Sequence, residues 1–141
     1  MSQLVEFIGN HPVMVSLFLV VLILFINTLH KEKNKAFQNV NIDQLTRLVN
    51  QKNAQVVDIR PKESFEQGHI VNAINMPLDD INSGKTKIDK LKKKPVVVYC
   101  QTGRVSAAAS KKLTDVGIEQ VFNLQGGINS WISEKLPLSK V

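Results

Sequence analysis

The chain has 141 residues, 43% of them apolar and 21% charged, with a net charge of +6 and a single cysteine. That length allows one ordinary domain with an appendage, the composition is globular, and one cysteine excludes an internal disulfide. The basic excess lies wholly beyond residue 30, and neither an internal repeat nor a low-complexity segment interrupts the chain.

Residues 1–11 contain no Lys or Arg and are expected to form a short extracytoplasmic N-terminus. The next segment, 12–29 ("PVMVSLFLVVLILFINTL"), carries no charge, and Ser16, Asn27 and Thr28 are its only polar side chains. At about 1.5 Å per helical residue it spans roughly 27 Å, close to the ~30 Å core of a bilayer. A single transmembrane helix is predicted. A cleaved signal peptide would need basic residues before the run and a small-residue site after it, and the sequence has neither. Lys31, Lys33 and Lys35 follow at once, so the positive-inside rule puts the remainder in the cytoplasm. A lone cysteine suits that reducing compartment. Without a G-x-x-x-G pattern or an embedded charge, the span reads as a plain tether.

A basic linker, 30–37, leads to the soluble part, 38–141. Asn41 is placed to cap a helix on which Ile42, Leu45, Leu48 and Val49 share a face. Ala54–Ile59 ("AQVVDI") has the form of a buried parallel strand. "KESFEQG" predicts a short helix closed by Gly68, "AINMP" a weak strand stopped by Pro77, and Lys85–Lys94 a solvated surface helix facing anionic lipid headgroups. That basic run matches no nucleic-acid motif, so nucleic acid is not expected as a partner.

"PVVVY", Pro95–Tyr99, is the strongest strand signal. Ser106–Val116 predicts a helix with Val105, Ala109, Leu113 and Val116 along one face and Gly117 as its stop. Glu119–Leu124 reads as another strand, Gly126 and Gly127 as a turn, and "INSWISEKL" as a last helix. Such alternation implies an α/β domain, a central parallel sheet with helices on both faces.

Cys100 stands just past a strand and before a helix, the place where open α/β sheets bind ligands. A tight turn around Gly103 directs backbone N–H groups inward, and the helix N-terminus adds partial positive charge. Such sites bring a thiol pKa from about 8.5 to roughly 3.5–7.5, so this is a position where cysteine becomes a nucleophile. Arg104 is placed to add a full charge. Cysteine-dependent phosphatases keep an Arg six positions after the Cys to hold phosphate bidentately. Here that residue is Ser106, and the signature fails.

Three segments in the right order carry a resemblance. "DIRPKESFEQGHIVNAINMP", with Asp58, Arg60, Phe65, Gly68, His69, Ile70, Ala73, Asn75 and Pro77 at matching positions, is similar to the D-[VI]-R-x-x-x-E-[FY]-x-x-G-H-I-x-x-A-x-N-[IML]-P segment of the rhodanese family. "YCQTGRVSA" resembles that family's C-x-x-G-x-R-S loop, and "VFNLQGGINSW" its V-x-x-L-x-G-G-x-x-x-W segment. The chain thus resembles a single rhodanese domain tethered to the bacterial inner membrane. The resemblance implies Cys100 as a persulfide-forming nucleophile, with Gln101, Thr102, Gly103, Arg104 and Val105 as its substrate loop. It implies a small sulfane-sulfur donor such as thiosulfate, and a thiol or cyanide as acceptor. A membrane protein or a sulfur-acceptor protein is the expected macromolecular partner, and no cofactor is implied. Two positions depart from the pattern: Val105 stands where the loop commonly ends in Arg, Ser or Thr, and Ser64 where Glu is frequent.

Other polar residues are read as structural support. Asp58 and Arg60 are expected to pair and orient the loop after their strand. A thiolate held by amides needs no base, and the resemblance implies a structural role for His69; Ser106 is read as supporting the loop. No metal site is expected from one Cys without a His pair at ligand spacing. Trp131 belongs to the core. Two other readings stay open beside sulfur transfer: a non-catalytic docking module, kept open by Val105, and a thiol redox sensor, which has no resolving cysteine in the chain.

Overall fold

A computed structural model describes residues 7, 9–33, 36–85 and 88–141, without the side chains of residues 29–33. The chain divides into two compact units, Met1–Lys35 and Ala36–Val141.

In the first unit, helix α1 (Pro12–Lys33) is 22 residues long. Pro12 suits its first position, where no backbone donor is needed. The two hydroxyls turn back onto the helix: Ser16 Oγ donates to the Val13 carbonyl at 2.9 Å and Thr28 Oγ1 to that of Leu24 at 2.8 Å. These two hydroxyls thus bond to backbone acceptors, while Leu17, Phe18, Ile23 and Phe25 stand exposed. Among the described residues no helix is long and apolar enough to cross a membrane. The uncharged run 12–29 on which that expectation rests ends one residue beyond the last described side chain, Thr28. Most of the expected N-terminal segment 1–11, and residues 34 and 35 of the linker, lie outside the described residues.

The second unit contains β1 (Gln38–Val40), α2 (Ile42–Lys52), β2 (Gln55–Asp58), α3 (Lys62–Gln67), β3 (His69–Ile70), β4 (Ile74–Asn75), α4 (Leu78–Asn82), a 3-10 turn (Ile88–Lys90), β5 (Val96–Tyr99), α5 (Arg104–Asp115), β6 (Val121–Leu124), α6 (Gly127–Ser133) and β7 (Leu138–Ser139). The main sheet is parallel throughout, in the order β1-β6-β5-β2-β4, and β3 pairs antiparallel with β7. The central strand β5 is buried on both faces, as parallel strands covered by helices are. One face packs Val56, Val97, Tyr99 and Leu124 against Leu45 and Leu48 of α2 and Ile128 and Trp131 of α6. The other packs Val57, Val98 and Val121 against Ile81 of α4 and Ala109 and Leu113 of α5. The expected parallel sheet with helices on both faces is therefore present.

Local signals account for several boundaries. Asn41 Oδ1 accepts from the Gln44 N–H and Gln44 Oε1 from the Asn41 N–H, both at 2.9 Å, a reciprocal cap. The helix it starts ends at Asn53, in the left-handed region at φ 51°. Gly117, at φ 99°, ends α5 as predicted.

Other expectations are corrected. The Lys-rich segment 85–94 forms one 3-10 turn instead of a helix, closed by the Leu91 N–H on the Ile88 carbonyl at 2.8 Å; residues 86 and 87 lie outside the described residues. Among the described residues of that segment only Leu91 is buried, with Ile88 partly buried against the same core, too little apolar contact to hold a longer helix. The inward face of α5 is Ser106, Ala109, Ser110 and Leu113, whereas Val105 and Val116 are about half exposed, at 49% and 48%. Strand β6 begins at Val121, two residues later than predicted. The β1, β3 and β7 strands were not anticipated, since each is held by pairing with a distant segment.

Candidate active site

Four buried residues, Val96–Tyr99, carry the chain up the middle of the sheet and deliver Cys100 at its carboxyl end. Gly103, at φ 87°, then reverses the chain into α5. A side chain at that left-handed position would also meet the Leu124 carbonyl at 2.9 Å and the Gly126 nitrogen at 3.0 Å. The turn directs backbone donors at the sulfur: the Gly103 N–H lies 3.1 Å and the Ser106 N–H 3.4 Å from Cys100 Sγ. Ser106 Oγ is 3.3 Å away. Burial pushes the Cys100 thiol pKa up, and the hydrogen bonds that the Ser106, Thr102 and Gly103 backbone amides aim at the sulfur hold it below its ordinary value.

Helix α5 begins at Arg104, two residues before the predicted start. Arg104 and Val105 therefore sit in its first turn, both exposed, and the loop proper is Gln101, Thr102 and Gly103. Arg104 has no ion-pair partner among the described residues, and it lines an open groove with Phe37, Asn39, Thr102 and Gln125.

The loop is braced from below by the Gly126-Gly127 turn. The Ile128 N–H donates to the Cys100 carbonyl at 2.9 Å and the Asn129 N–H to that of Gln101 at 3.2 Å. A Cβ on Gly127, which sits at φ 59°, would collide with the Cys100 carbonyl oxygen. The side chains add Gln101 Nε2 donating to Asn129 Oδ1 at 2.6 Å.

Asp58 and Arg60 pair as expected. Arg60 Nη2 donates to Asp58 Oδ2 at 2.7 Å, its Nε to Oδ1 and Oδ2 at 3.1 Å, and its backbone N–H to Oδ1 at 2.9 Å. Nη2 also reaches the Gly68 carbonyl at 2.7 Å, and the guanidinium lies 5.9 Å from the Tyr99 ring centroid. Burial opposes the Arg60 charge, and Asp58 more than restores it, so the guanidinium pKa stands above its ordinary value. Asn75 Nδ2 ties the carbonyls of Asp58 and Arg60 together. His69 is buried, stacks on Phe65 at 3.8 Å and donates from Nδ1 to the Phe65 carbonyl at 2.9 Å, so it makes no bond with Cys100.

One partner of the site, Asn123, was missed. Asn123 Oδ1 lies 2.6 Å from Ser106 Oγ, and Asn123 Nδ2 donates to the Gly103 carbonyl at 3.1 Å and to Asn39 Oδ1 at 3.0 Å. An Asn inside the apolar strand "VFNL" was the available signal, because a buried amide has to find partners.

Residues 41–134 match the sequence model of the rhodanese-like domain. The uncharacterized protein YibN of Escherichia coli (strain K12) is 32% identical, covering 98% of this chain and 97% of that protein. Thiosulfate sulfurtransferase GlpE of Shewanella oneidensis is 33% identical over 68% of this chain and 93% of its own length. A crystal structure of a rhodanese-related protein from Thermoplasma volcanium is 32% identical and superposes with a TM-score of 0.61, covering 73% of this chain and 98% of that one. With the strand order, the cysteine turn and the Asp58–Arg60 pair in place, the chain belongs to the rhodanese-like domain family.

Proposed function

We propose that the protein is a sulfurtransferase that carries sulfane sulfur as a persulfide on Cys100. The observation that supports it most directly is the sulfur itself, faced by the Gly103 and Ser106 amides at 3.1 and 3.4 Å at the head of a helix. These donors suit a thiolate and the negative charge that develops near it. The thiolate attacks the outer sulfur of thiosulfate, forming an S–S bond as the sulfur–sulfur bond of the donor breaks and sulfite leaves with its electron pair. A thiol or cyanide then attacks the terminal sulfur and returns Cys100 as thiolate. Arg104, exposed in the neighbouring groove, is placed to attract an anionic donor.

We further propose that the uncharged run 12–29 anchors the domain in the bacterial inner membrane, with the N-terminus outside and the domain in the cytoplasm. The charge asymmetry around the run and its exposed apolar side chains support this. Cell fractionation of the full chain against Leu22→Arg tests it: wild type in the membrane pellet and less of the variant there is expected, and wild type in the soluble fraction rules the anchor out.

The sulfur reaction is tested on the full chain in detergent by thiocyanate formation from thiosulfate and cyanide. Turnover, plus one added sulfur in the intact mass that Cys100→Ser lacks, is the expected result. No turnover and no added sulfur with several sulfane donors overturns it in favour of a docking module. The feature favouring that second reading is Val105, an exposed apolar residue in the first turn of α5.

A further inference from the structure

We propose that Asn123 is a positioning residue that fixes the direction of the Ser106 hydroxyl and so biases the charge state of the Cys100 sulfur; its catalytic meaning rests on the sulfur-carrier reading above. The proton inventory sets that direction. Both protons of Asn123 Nδ2 are placed, one on the Gly103 carbonyl at 3.1 Å and one on Asn39 Oδ1 at 3.0 Å. A backbone carbonyl only accepts, so the amide cannot be turned around. Its Oδ1 must therefore face Ser106 Oγ, 2.6 Å away, and the one hydroxyl proton lies between them.

Ser106 Oγ consequently presents lone pairs to Cys100 Sγ at 3.3 Å. A thiol donates into those lone pairs, whereas a thiolate meets a second acceptor. For Ser106 to donate to a thiolate, its proton must leave Asn123 Oδ1. Ser106 is 0% and Asn123 4% exposed, so the abandoned oxygen has almost no access to water. The Gly103 and Ser106 amides face no such conflict and favour the thiolate. The site thus sets backbone donors that favour a charged sulfur against a side-chain pair that favours a neutral one. The inner sulfur of a persulfide is neutral, its charge residing on the terminal atom. The Ser106–Asn123 pair therefore favours the persulfide over the free thiolate.

The charged residues on the elements surrounding this cluster are Arg104, Lys111, Lys112 and Asp115 of α5, Asp79 and Asp80 of α4, Asp89, Lys90, Lys92, Lys93 and Lys94 around Leu91, and the Asp58–Arg60 pair closing β2. None hydrogen-bonds or forms an ion pair with Cys100, Ser106 or Asn123.

Because the chain has one cysteine, iodoacetamide reports on Cys100 alone. The test is the pH profile of alkylation, without sulfur donor, in the full-length wild type, Ser106→Ala, Asn123→Ala and the double variant, with circular dichroism to confirm folding. In Asn123→Ala the hydroxyl is free to turn to the sulfur, and the midpoint falls by roughly one pH unit, the scale of one hydrogen bond to a charged group. Adding Ser106→Ala reverses that fall, and Ser106→Ala alone does not raise the midpoint. A higher midpoint in Ser106→Ala alone, or no fall in Asn123→Ala, overturns the proposal. If Asn123→Ala does not fold, the sign in Ser106→Ala decides the matter. Thiosulfate is added to separate, unalkylated samples of the same proteins: the expected midpoints with no persulfide in any protein support the positioning role while refuting the sulfur-carrier reading.

Discussion

Strands β2 and β5 run side by side and end in register, with Asp58 beside Tyr99, yet their polar ends differ in kind. At the end of β2 the Asp58 carboxylate is enclosed and accepts four hydrogen bonds from Arg60, whose guanidinium also binds the Gly68 carbonyl. Acid, base and neighbouring carbonyls satisfy one another, so the cluster holds shape and offers nothing to a substrate. One residue past β5, donors converge on a sulfur that carries no counter-charge. Two polar sites at one edge of a sheet are told apart by whether their hydrogen bonding closes within the protein or leaves an atom ready to react.

That contrast is broken most completely at the sulfur. Cys100→Ser lowers sulfur transfer by roughly a thousandfold or more, while at a pH below the folded thiol pKa its unfolding free energy stays within about 1 kcal/mol of wild type, as read by thiocyanate formation and urea denaturation. At the neighbouring strand the effects exchange places. Asp58→Ala leaves Arg60 buried without its partner and destabilises the fold by about 3–5 kcal/mol, and the folded fraction still alkylates at Cys100.

Gly127→Ala joins the two effects, because the new Cβ strikes the Cys100 carbonyl itself. A loss of about 2–4 kcal/mol is expected together with slower transfer, and urea unfolding beside turnover measures both. The pH dependence sharpens the comparison further. With the Cys100 thiol below its ordinary value in the folded state, ionisation adds stability that is fully present above the unfolded thiol pKa and disappears as pH falls through the folded one. The stability difference between wild type and Cys100→Ser should therefore rise with pH across that window, as urea titrations at successive pH values will show. The smallest effect belongs to the exposed rim: Val105→Arg is expected to lower KM for thiosulfate by about two- to fivefold, with kcat little changed.

What the sequence revealed follows the range of the interactions involved. The strand Val96–Tyr99, the Asn41 cap and the turn at Gly103 depend on neighbouring residues, and each is legible locally. The cysteine turn was legible because a cysteine between strand and helix has a known electrostatic setting. Asn123 was not, since its place beside the site follows from β6 lying next to β5, which sets Asn123 opposite Val98. Val105 misled the reading of α5: counted as part of an apolar face, it lies outside the buried set once the helix starts at Arg104. The Lys-rich stretch failed as a helix because the contacts of its described apolar residues, Ile88 and Leu91, hold only a single 3-10 turn.

The short β3–β7 pairing has a practical consequence for expression boundaries. The family match ends at residue 134, but the fold continues beyond it: Leu136 packs on the core, Trp131 Nε1 donates to the Pro137 carbonyl at 3.0 Å, and Leu138 pairs with Ile70. A recombinant domain trimmed at Glu134 would expose the indole and unpair His69 and Ile70 from β7, at a distance from the cysteine. Its poor yield or low activity would then reflect the cut and say nothing of the chemistry, whereas a purification tag placed after Val141 leaves every one of these contacts intact.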